Sequence, residues 1–526
     1  MSTFSRWSRD VIYELCVPSY QDSNDDGLGD LNGISARLEY LRWLGVTTLW
    51  LTPFYGTDFF DFGYDVIDHS SVDRRFGDMS DFDRLLAKAH QLGLKILIDF
   101  VPNHTSAKHP WFLDSSSSRT SMRRDWYIWR DARPGSDLPN NWTTQYEKSA
   151  WAWDRKTEQY YFHSFHENQP DLNWTNPEVQ RAMASVLRFW LDRGVDGFRI
   201  DAMVHLAKDP LWRDNPPAPG KAASDWPTWP MAPSYTQDQA GLLPLLEMLC
   251  GVIHEYPGRM IIGENHLSPG RLPSYYRVGV THPINPQFLD IEWEPTAIRR
   301  AIDTYEGLLD AHNWPNWVMG SHDNARTATR LGDARTRAAA MLHLTLRGTP
   351  IIYYGEELGL TNAQISSEQE VDPLGRLMPG KGLGRDAQRA PSPWDDTLND
   401  GFSKAQPWLP MPDRYRELNV KNQRADAKSV LHLYRGLLHC RASETALQFG
   451  DYVPDILTDR VFAYIRQDAQ SRFLIAINCS SSNTMLRSNA AHGSVVLSTA
   501  LERTGERADG HMELRADEGI LMRVHG

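Results

Sequence analysis

No run of 18 apolar residues occurs in the 526-residue chain, and Met1 to Asp10 holds no apolar stretch of the kind that opens a leader. Both absences point to a cytoplasmic protein with neither signal peptide nor membrane span. Positive charge is in deficit, with 55 Lys and Arg against 67 Asp and Glu, a net charge of −12. That balance argues against a nucleic-acid or anionic-membrane partner. Cysteine is scarce: Cys16, Cys250, Cys440 and Cys479 are scattered without metal-site spacing, as expected of buried, reduced thiols. No internal repeat or disordered tail stands out. Tryptophan, by contrast, is abundant at 19 residues. Flat aromatic rings fill cores, and they also line clefts that bind sugars and other rings.

The chain is long enough for one large α/β barrel and an accessory domain. Val11 to Leu15 reads as a strand, and Ile34, Leu38, Leu41 and Leu44 mark a helix with one buried stripe. Val46 to Thr52 is a strand, 79–92 a helix and Lys95 to Val101 a strand, so the order is that of a parallel sheet. From about Asn103 to Pro170 the periodicity lapses into a Trp-, Tyr-, Ser- and Asn-rich stretch too long for an ordinary loop. It reads as an inserted subdomain. A helix returns over 179–191, then the strand Gly197-Phe198-Arg199-Ile200-Asp201. Residues 210–233 read as a Pro- and Trp-rich loop, 242–253 and 338–346 as helices, and 260–264, 317–323 and 350–354 as strands. A Gly- and Pro-rich loop spans about 360–412, and 428–440 is helical. After about Phe449 short alternating strands (461–466, 473–478, 494–497, 519–524) indicate a small antiparallel β domain. The expected fold is α/β: a (β/α)8 TIM barrel (1–102 and 173–449) with an inserted B subdomain (103–172) and a C-terminal β domain (450–526).

Asp99, Asp201, Glu264 and Asp323 each end a different apolar strand. In a barrel those ends converge on one face, where charged residues read as catalytic. Arg199 stands two residues before Asp201, on the same side of its strand. His104 follows Asp99, and His322 precedes Asp323. Clustered carboxylates suit divalent-metal hydrolysis or glycosidic cleavage. An Arg beside Asp201 would repel a metal ion but would keep an attacking carboxylate ionised. Glu264 has no basic neighbour in its own strand, which suits a raised pKa and an acid role. Asp323 and the two histidines would then meet sugar hydroxyls.

Between the first strand and helix, Asp22, Asn24, Asp26 and Asp30 with Gly27 match the first nine places of a calcium loop. The twelfth place is Gly33 instead of Glu, so the loop is not an EF-hand. A hard cation and an Asx-rich turn that caps the next helix are both compatible with it.

These motifs resemble the α-amylase superfamily of glycoside hydrolases, in its α-glucosidase and oligo-1,6-glucosidase branch. Asp99-Phe100-Val101-Pro102-Asn103-His104, Gly197 to Asp201, Ile262-Gly263-Glu264-Asn265 and Ser321-His322-Asp323 match its four main motifs in order. Gln169-Pro170-Asp171-Leu172-Asn173 matches a fifth, typical of the glucosidase branch. The resemblance covers nearly the whole chain. It implies retaining hydrolysis of small α-glucosides, with Asp201 as nucleophile, Glu264 as acid/base and Asp323 as transition-state stabiliser. It also implies substrate contacts from His104, Arg199, His322 and Tyr64-Asp65. Arg389 joins them, in the run Arg385-Asp386-Ala387-Gln388-Arg389-Ala390-Pro391-Ser392-Pro393-Trp394, which departs slightly from the family's but keeps both arginines. The Asp22 loop resembles the branch's calcium loop, implying a structural Ca2+ held by Asp22, Asn24, Asp26, Asp30 and the Leu28 carbonyl.

In similar enzymes Val after the nucleophile accompanies α-1,6 activity and smaller residues α-1,4, so Ala202 favours α-1,4. The family's α-amylases often read Asp-Ala-x-Lys-His; this chain reads Asp201-Ala202-Met203-Val204-His205, without the Lys, and His205 is compatible both with a contact to a sugar beyond the cleavage point and with a polar contact at a helix start. The reading expected is an exo-acting α-glucosidase on short α-1,4 oligosaccharides, monomeric or a small homo-oligomer. A glucosyl transferase or isomerase on maltose- or sucrose-like disaccharides, or an α-1,6-glucosidase, would share every catalytic residue. A non-catalytic scaffold would have lost carboxylates that this chain retains.

Overall fold

The computed structural model describes residues 7–218 and 231–525. The middle of the stretch expected as a loop over 210–233 lies outside the described residues. Eight parallel strands form the central sheet: β1 (Ile12–Leu15), β2 (Thr48–Leu51), β3 (Lys95–Phe100), β4 (Gly197–Ile200), β5 (Met260–Gly263), β6 (His282–Pro283), β7 (Asn316–Val318) and β8 (Thr349–Tyr353). They alternate with helices α1 (Leu31–Leu44), α2 (Met79–Gln91), α3 (Pro177–Arg193), α4 (Leu242–His254), α5 (Leu272–Arg277), α6 (Pro295–Leu308), α7 (Asp333–Thr345) and α8 (Val430–Ser443). The sheet order is β6-β5-β4-β3-β2-β1-β8-β7. Every neighbour pairs except β6 with β7. Across that seam the Asn316 amide donates to the Pro283 carbonyl at 2.7 Å and its oxygen accepts from Asn285 N–H at 3.3 Å. Side-chain bonds thus bridge the seam where the ladder is missing, and the barrel is nearly closed.

Local chemistry sets the helix ends. Asp30 caps α1 by accepting from Gly33 N–H. Asp78 and Asp81 form a reciprocal capping box at the start of α2. Asn176 caps α3, with Pro177 at its first position, where no donor is lost. The barrel interior is filled by Ile12, Trp50, Leu97, Met260, Ile262, Val318 and Ile351. Gly197 opens β4 because nothing larger fits: a Cβ there would lie 2.1 Å from the Met260 carbonyl oxygen. The tight β4–β5 approach puts Ile200 beside Gly263, and Asp201 and Glu264 leave the sheet together.

Within 103–172 lies a three-stranded antiparallel sheet (Trp129–Arg130, Gln159–Phe162, Trp151–Asp154) over a small core of Ile128, Trp142, Trp151 and Phe162. The C-terminal sheet holds β9 (Asp451–Leu457), β10 (Val461–Gln467), β11 (Arg472–Asn478), β12 (Thr484–Ser498), β13 (Arg507–Leu514) and β14 (Gly519–Val524), in the order β9-β10-β11-β14-β12-β13. The pattern had not marked β9 and β13. Both are edge strands, and β9 carries Pro454 and two aspartates, as edges that must not pair further commonly do. β6 was missed because two residues give no periodicity. All four cysteines are unpaired thiols. Among the described residues no helix is long and apolar enough to cross a membrane.

Candidate active site

The site is built on β3, β4 and β5. Asp99 and Arg199 are register partners on adjacent strands, so they share a face. The Arg199 guanidinium reaches Asp99 at 2.8 Å, Asp201 more closely still, and Glu264 at 3.1 Å. Asp99 also accepts from Trp50 Nε1 and the Tyr64 hydroxyl, at 3.1 and 3.2 Å. Fully buried, it braces the arginine from below and does not reach the cavity. Arg199, 2% exposed, likewise ties carboxylates together and does not line the cavity. Ala202 follows Asp201 in the left-handed region at φ 46°. That turn aims its N–H at Glu264 Oε2.

Glu264 has no basic residue within β5 itself, but the raised pKa expected from that does not hold. Burial pushes its carboxyl up, but Arg199 and then His266, whose Nε2 lies 2.7 Å from Oε1, outweigh it and hold Glu264 below the ordinary range. Asp201 goes the other way: burial, with Glu264 and Asp99 nearby, lifts it well above the ordinary range despite Arg199.

Asp323 is not at a strand end. β7 stops at Val318, and Met319-Gly320-Ser321-His322 turns the carboxylate back over the barrel mouth. It meets Arg389 at 2.8 Å, Arg385 at 3.1 Å and His322 Nε2 at 3.2 Å. Burial opposes its charge, but His322 and both arginines hold it firmly ionised. His322 is clamped in turn: Nδ1 faces the buried Glu14 carboxylate at the end of β1, and Nε2 lies 2.9 Å from the Tyr64 hydroxyl. Its ring stacks on Tyr64 at 5.5 Å.

A cavity of about 420 Å³ is lined by Asp201, Glu264, Asp323, Tyr64, His104, His205 and His322. Asp61, Phe165, Gln237, His266 and Arg385 line it too, and sequence reasoning had not proposed them. Asp65 does not line it. Its carboxylate accepts from the N–H groups of Phe60 and Asp61, shaping the loop, and burial raises it to about 6. The carboxylate that faces the cavity is Asp61, paired with Arg385 at 2.7 Å and with Gln169 at 3.0 Å. Arg389, 1% exposed, backs Asp323 and the His322 carbonyl, and Arg385 takes the lining position. His104 touches the Tyr64 carbonyl and Gln169. His205 is lowered to about 3 by burial, so its ring is neutral; Nε2 faces Gln237 at 3.2 Å. Asp171 in the fifth motif pairs with buried Lys208 at 2.7 Å and takes the Ser164 N–H and hydroxyl. This pair locks the inserted subdomain to the turn after β4. Lys208 was missed because it lies three residues beyond His205, outside every motif quoted.

In the Asp22 loop, Asp22 accepts from the N–H groups of Asn24, Asp25 and Gly27, and Asp30 from Ser23 and Gly33. Asp22 and Asp30 are both buried, and burial, with Asp22 nearby, raises the Asp30 carboxyl. Among the described residues no group of three or more His, Cys, Asp or Glu is arranged to hold a metal ion.

A family model described as the catalytic domain of alpha amylase matches residues 15–450. The chain belongs to the α-amylase family of glycoside hydrolases. Within that family it is 38% identical over 465 residues to a probable alpha-glucosidase of Rhizobium meliloti (strain 1021), covering 85% of this chain and 84% of that one. It is 34% identical over 518 residues to probable oligo-1,6-glucosidase 3 of Bacillus subtilis (strain 168), covering 91% and 92%. Among solved α-amylase-family structures, an alpha-glucosyl transfer enzyme superposes with a TM-score of 0.92 at 36% identity, over 99% of both chains. The trehalulose synthase of Pseudomonas mesoacidophila MX-45 superposes with a TM-score of 0.89 at 30% identity, also over 99% of both.

Proposed function

We propose that the chain is a retaining, exo-acting α-glucosidase that removes terminal α-1,4-linked glucose from short oligosaccharides. One observation carries the reading: Asp201 and Glu264 grip the same guanidinium at the mouth of a barrel cavity. Two carboxylates so held favour the short separation of a retaining site over the roughly 6.5–9.5 Å that an inverting one needs for its water. Asp201 attacks the anomeric carbon as the glycosidic C–O bond breaks, and Glu264 gives its proton to the leaving oxygen. Water then attacks the glucosyl-enzyme ester, Glu264 takes the water's proton, and Asp201 is released. Asp323, kept ionised by His322, Arg385 and Arg389, faces the positive charge of the transition state. Asp61, Arg385, Tyr64 and His104 supply hydrogen-bonding groups for the terminal sugar.

Ala202 supports α-1,4 over α-1,6 preference. It is small, and its φ of 46° disfavours a β-branched side chain. Similarity to a glucosyl transfer enzyme and a trehalulose synthase supports a second reading, transfer or isomerisation of maltose- or sucrose-like disaccharides, which differs in how well water is excluded. The proposal extends to a structural Ca2+ held by Asp22, Asn24, Asp26, Asp30 and the Leu28 carbonyl, where it would neutralise two buried carboxylates, and to a cytoplasmic monomer or small homo-oligomer.

Products from maltose, isomaltose, sucrose and maltotriose, with transfer products counted beside free glucose, decide between the readings. The first sugar released should be the α-anomer; a β-anomer overturns retention. Asp201→Asn should lower kcat at least about 10³-fold while sugar binding persists. Wild-type turnover in that variant removes Asp201 as nucleophile.

A further inference from the structure

Glu264 must be protonated when the glycosidic bond breaks, yet the free site holds it ionised. Its Oε2 is engaged by Arg199 and by the Ala202 N–H. Its Oε1 faces His266 Nε2 at 2.7 Å. The two side chains leave the end of β5 two residues apart, so they lie side by side. Glu264 is 12% exposed and His266 61% exposed. The imidazole lines the same cavity, with one nitrogen on the acid and its body open to the cleft.

We propose that His266 is the proton relay of the acid/base. It stores the proton in the free enzyme and hands it to Glu264 Oε1 when the glycosidic oxygen arrives. The inference rests on Glu264 being the acid/base. In the first half-reaction the Nε2–H bond breaks as the Oε1–H bond forms. That proton then passes to the leaving oxygen as its C–O bond to the sugar breaks. In the second half, a proton from the attacking water goes to Oε1 and returns to Nε2, restoring the imidazolium.

The surroundings agree. Arg199 on β4 and Asp323 after β7 act on His266 electrostatically, and His205 after β4 is kept neutral by burial. Asp290 lines the same cavity. Burial opposes a charge on His266, but Glu264, with Asp323 behind it, holds it above its ordinary value. Arg199 and His266 hold Glu264 below its own. The resting proton is therefore on the imidazole, one hydrogen bond from where the chemistry needs it.

The variant to make is His266→Gln, with His266→Asn as a second replacement, since a cleft-facing side chain can change without unfolding the barrel. The readout is kcat/KM against pH on two substrates. Maltose needs its leaving oxygen protonated; p-nitrophenyl α-glucoside does not. Both variants should lose about 10²-fold on maltose and only a few-fold on the activated glucoside. The active pair holds one proton shared by two sites, and removing one site weakens the hold on it. The alkaline limb on maltose should therefore move down by about one pH unit or more. Equal losses on both substrates, or an unmoved limb, overturn the relay. Glu264→Gln separates the two readings. If it too spares the activated glucoside, Glu264 is the acid and the His266 result stands by itself. If it does not, the assignment of Glu264 falls first.

Discussion

Asp61 and Asp65 are four residues apart and do different work. The motif around Tyr64 drew the sequence reading to Asp65, the residue beside the tyrosine. The structure turns that carboxylate inward onto two backbone N–H groups and points Asp61 at the cavity. Asp61→Asn should therefore raise KM roughly tenfold or more, the worth of a charge-assisted hydrogen bond to a sugar hydroxyl. Its melting temperature should change little, because Arg385 keeps Asp372 and Asp323. Asp65→Asn should do the reverse, costing about 1–3 kcal/mol of stability through a weakened acceptor for the Phe60 and Asp61 N–H groups, the second of them buried. Steady-state kinetics beside thermal melts separate the two, and interchanged outcomes would refute the assignment. The electrostatics of Glu264 and Asp201 belong to this scale as well. Adjacent residues in the chain suggested which carboxylate has a cationic neighbour. Arg199 lies in the strand of Asp201 but reaches Glu264 of the neighbouring one, and no spacing within one strand could show that it reaches both.

At the scale of elements, strands with a continuous apolar run were legible, and so were helices with a clear stripe. β3, β4, β5, α2, α3 and α4 stand within a residue or two of where periodicity puts them. Elements without periodicity were not legible: β6 is two residues long, and the edge strands β9 and β13 are broken by proline, glycine and charge. The loop between β1 and α1 carries the element-scale test. Its two buried carboxylates gather backbone N–H groups, and Asp30 caps α1 besides. If the loop holds Ca2+, chelation should lower the melting temperature and leave kcat nearly unchanged, because the loop lines no part of the catalytic cavity. Ion at 100 times its Kd would contribute about 2.7 kcal/mol. Melting curves with EDTA and then with Ca2+ restored would check this; identical curves would leave the loop a self-capped turn.

At the scale of the molecule, the barrel and the C-terminal sheet share one core, in which Leu437 of α8 joins Phe462, Tyr464, Ile475 and Leu521. Their junction is also polar. Arg466 on β10 is fully buried and donates to the carbonyls of Thr345 at 2.6 Å and Gly450 at 3.0 Å, and the Thr345 hydroxyl meets Tyr464 at 2.6 Å. Arg466→Met should cost about 1–3 kcal/mol for each carbonyl left unpaired, read as a lower denaturant midpoint, with a single transition preserved by the apolar contact. Wild-type stability would show that this junction is apolar alone. The sequence by itself determined the reaction class: strand periodicity and the residue types at strand ends are local properties, and they suffice to name a barrel with carboxylates at its mouth. Only the tertiary structure decided that Arg199 bridges Asp201 and Glu264, and which aspartate of the Tyr64 loop faces the cavity. Those depend on which side chains from separate strands and loops share a few ångströms of low-dielectric space. At such distances the charge of a group is set by its neighbours in space, and the order of residues along the chain does not fix them.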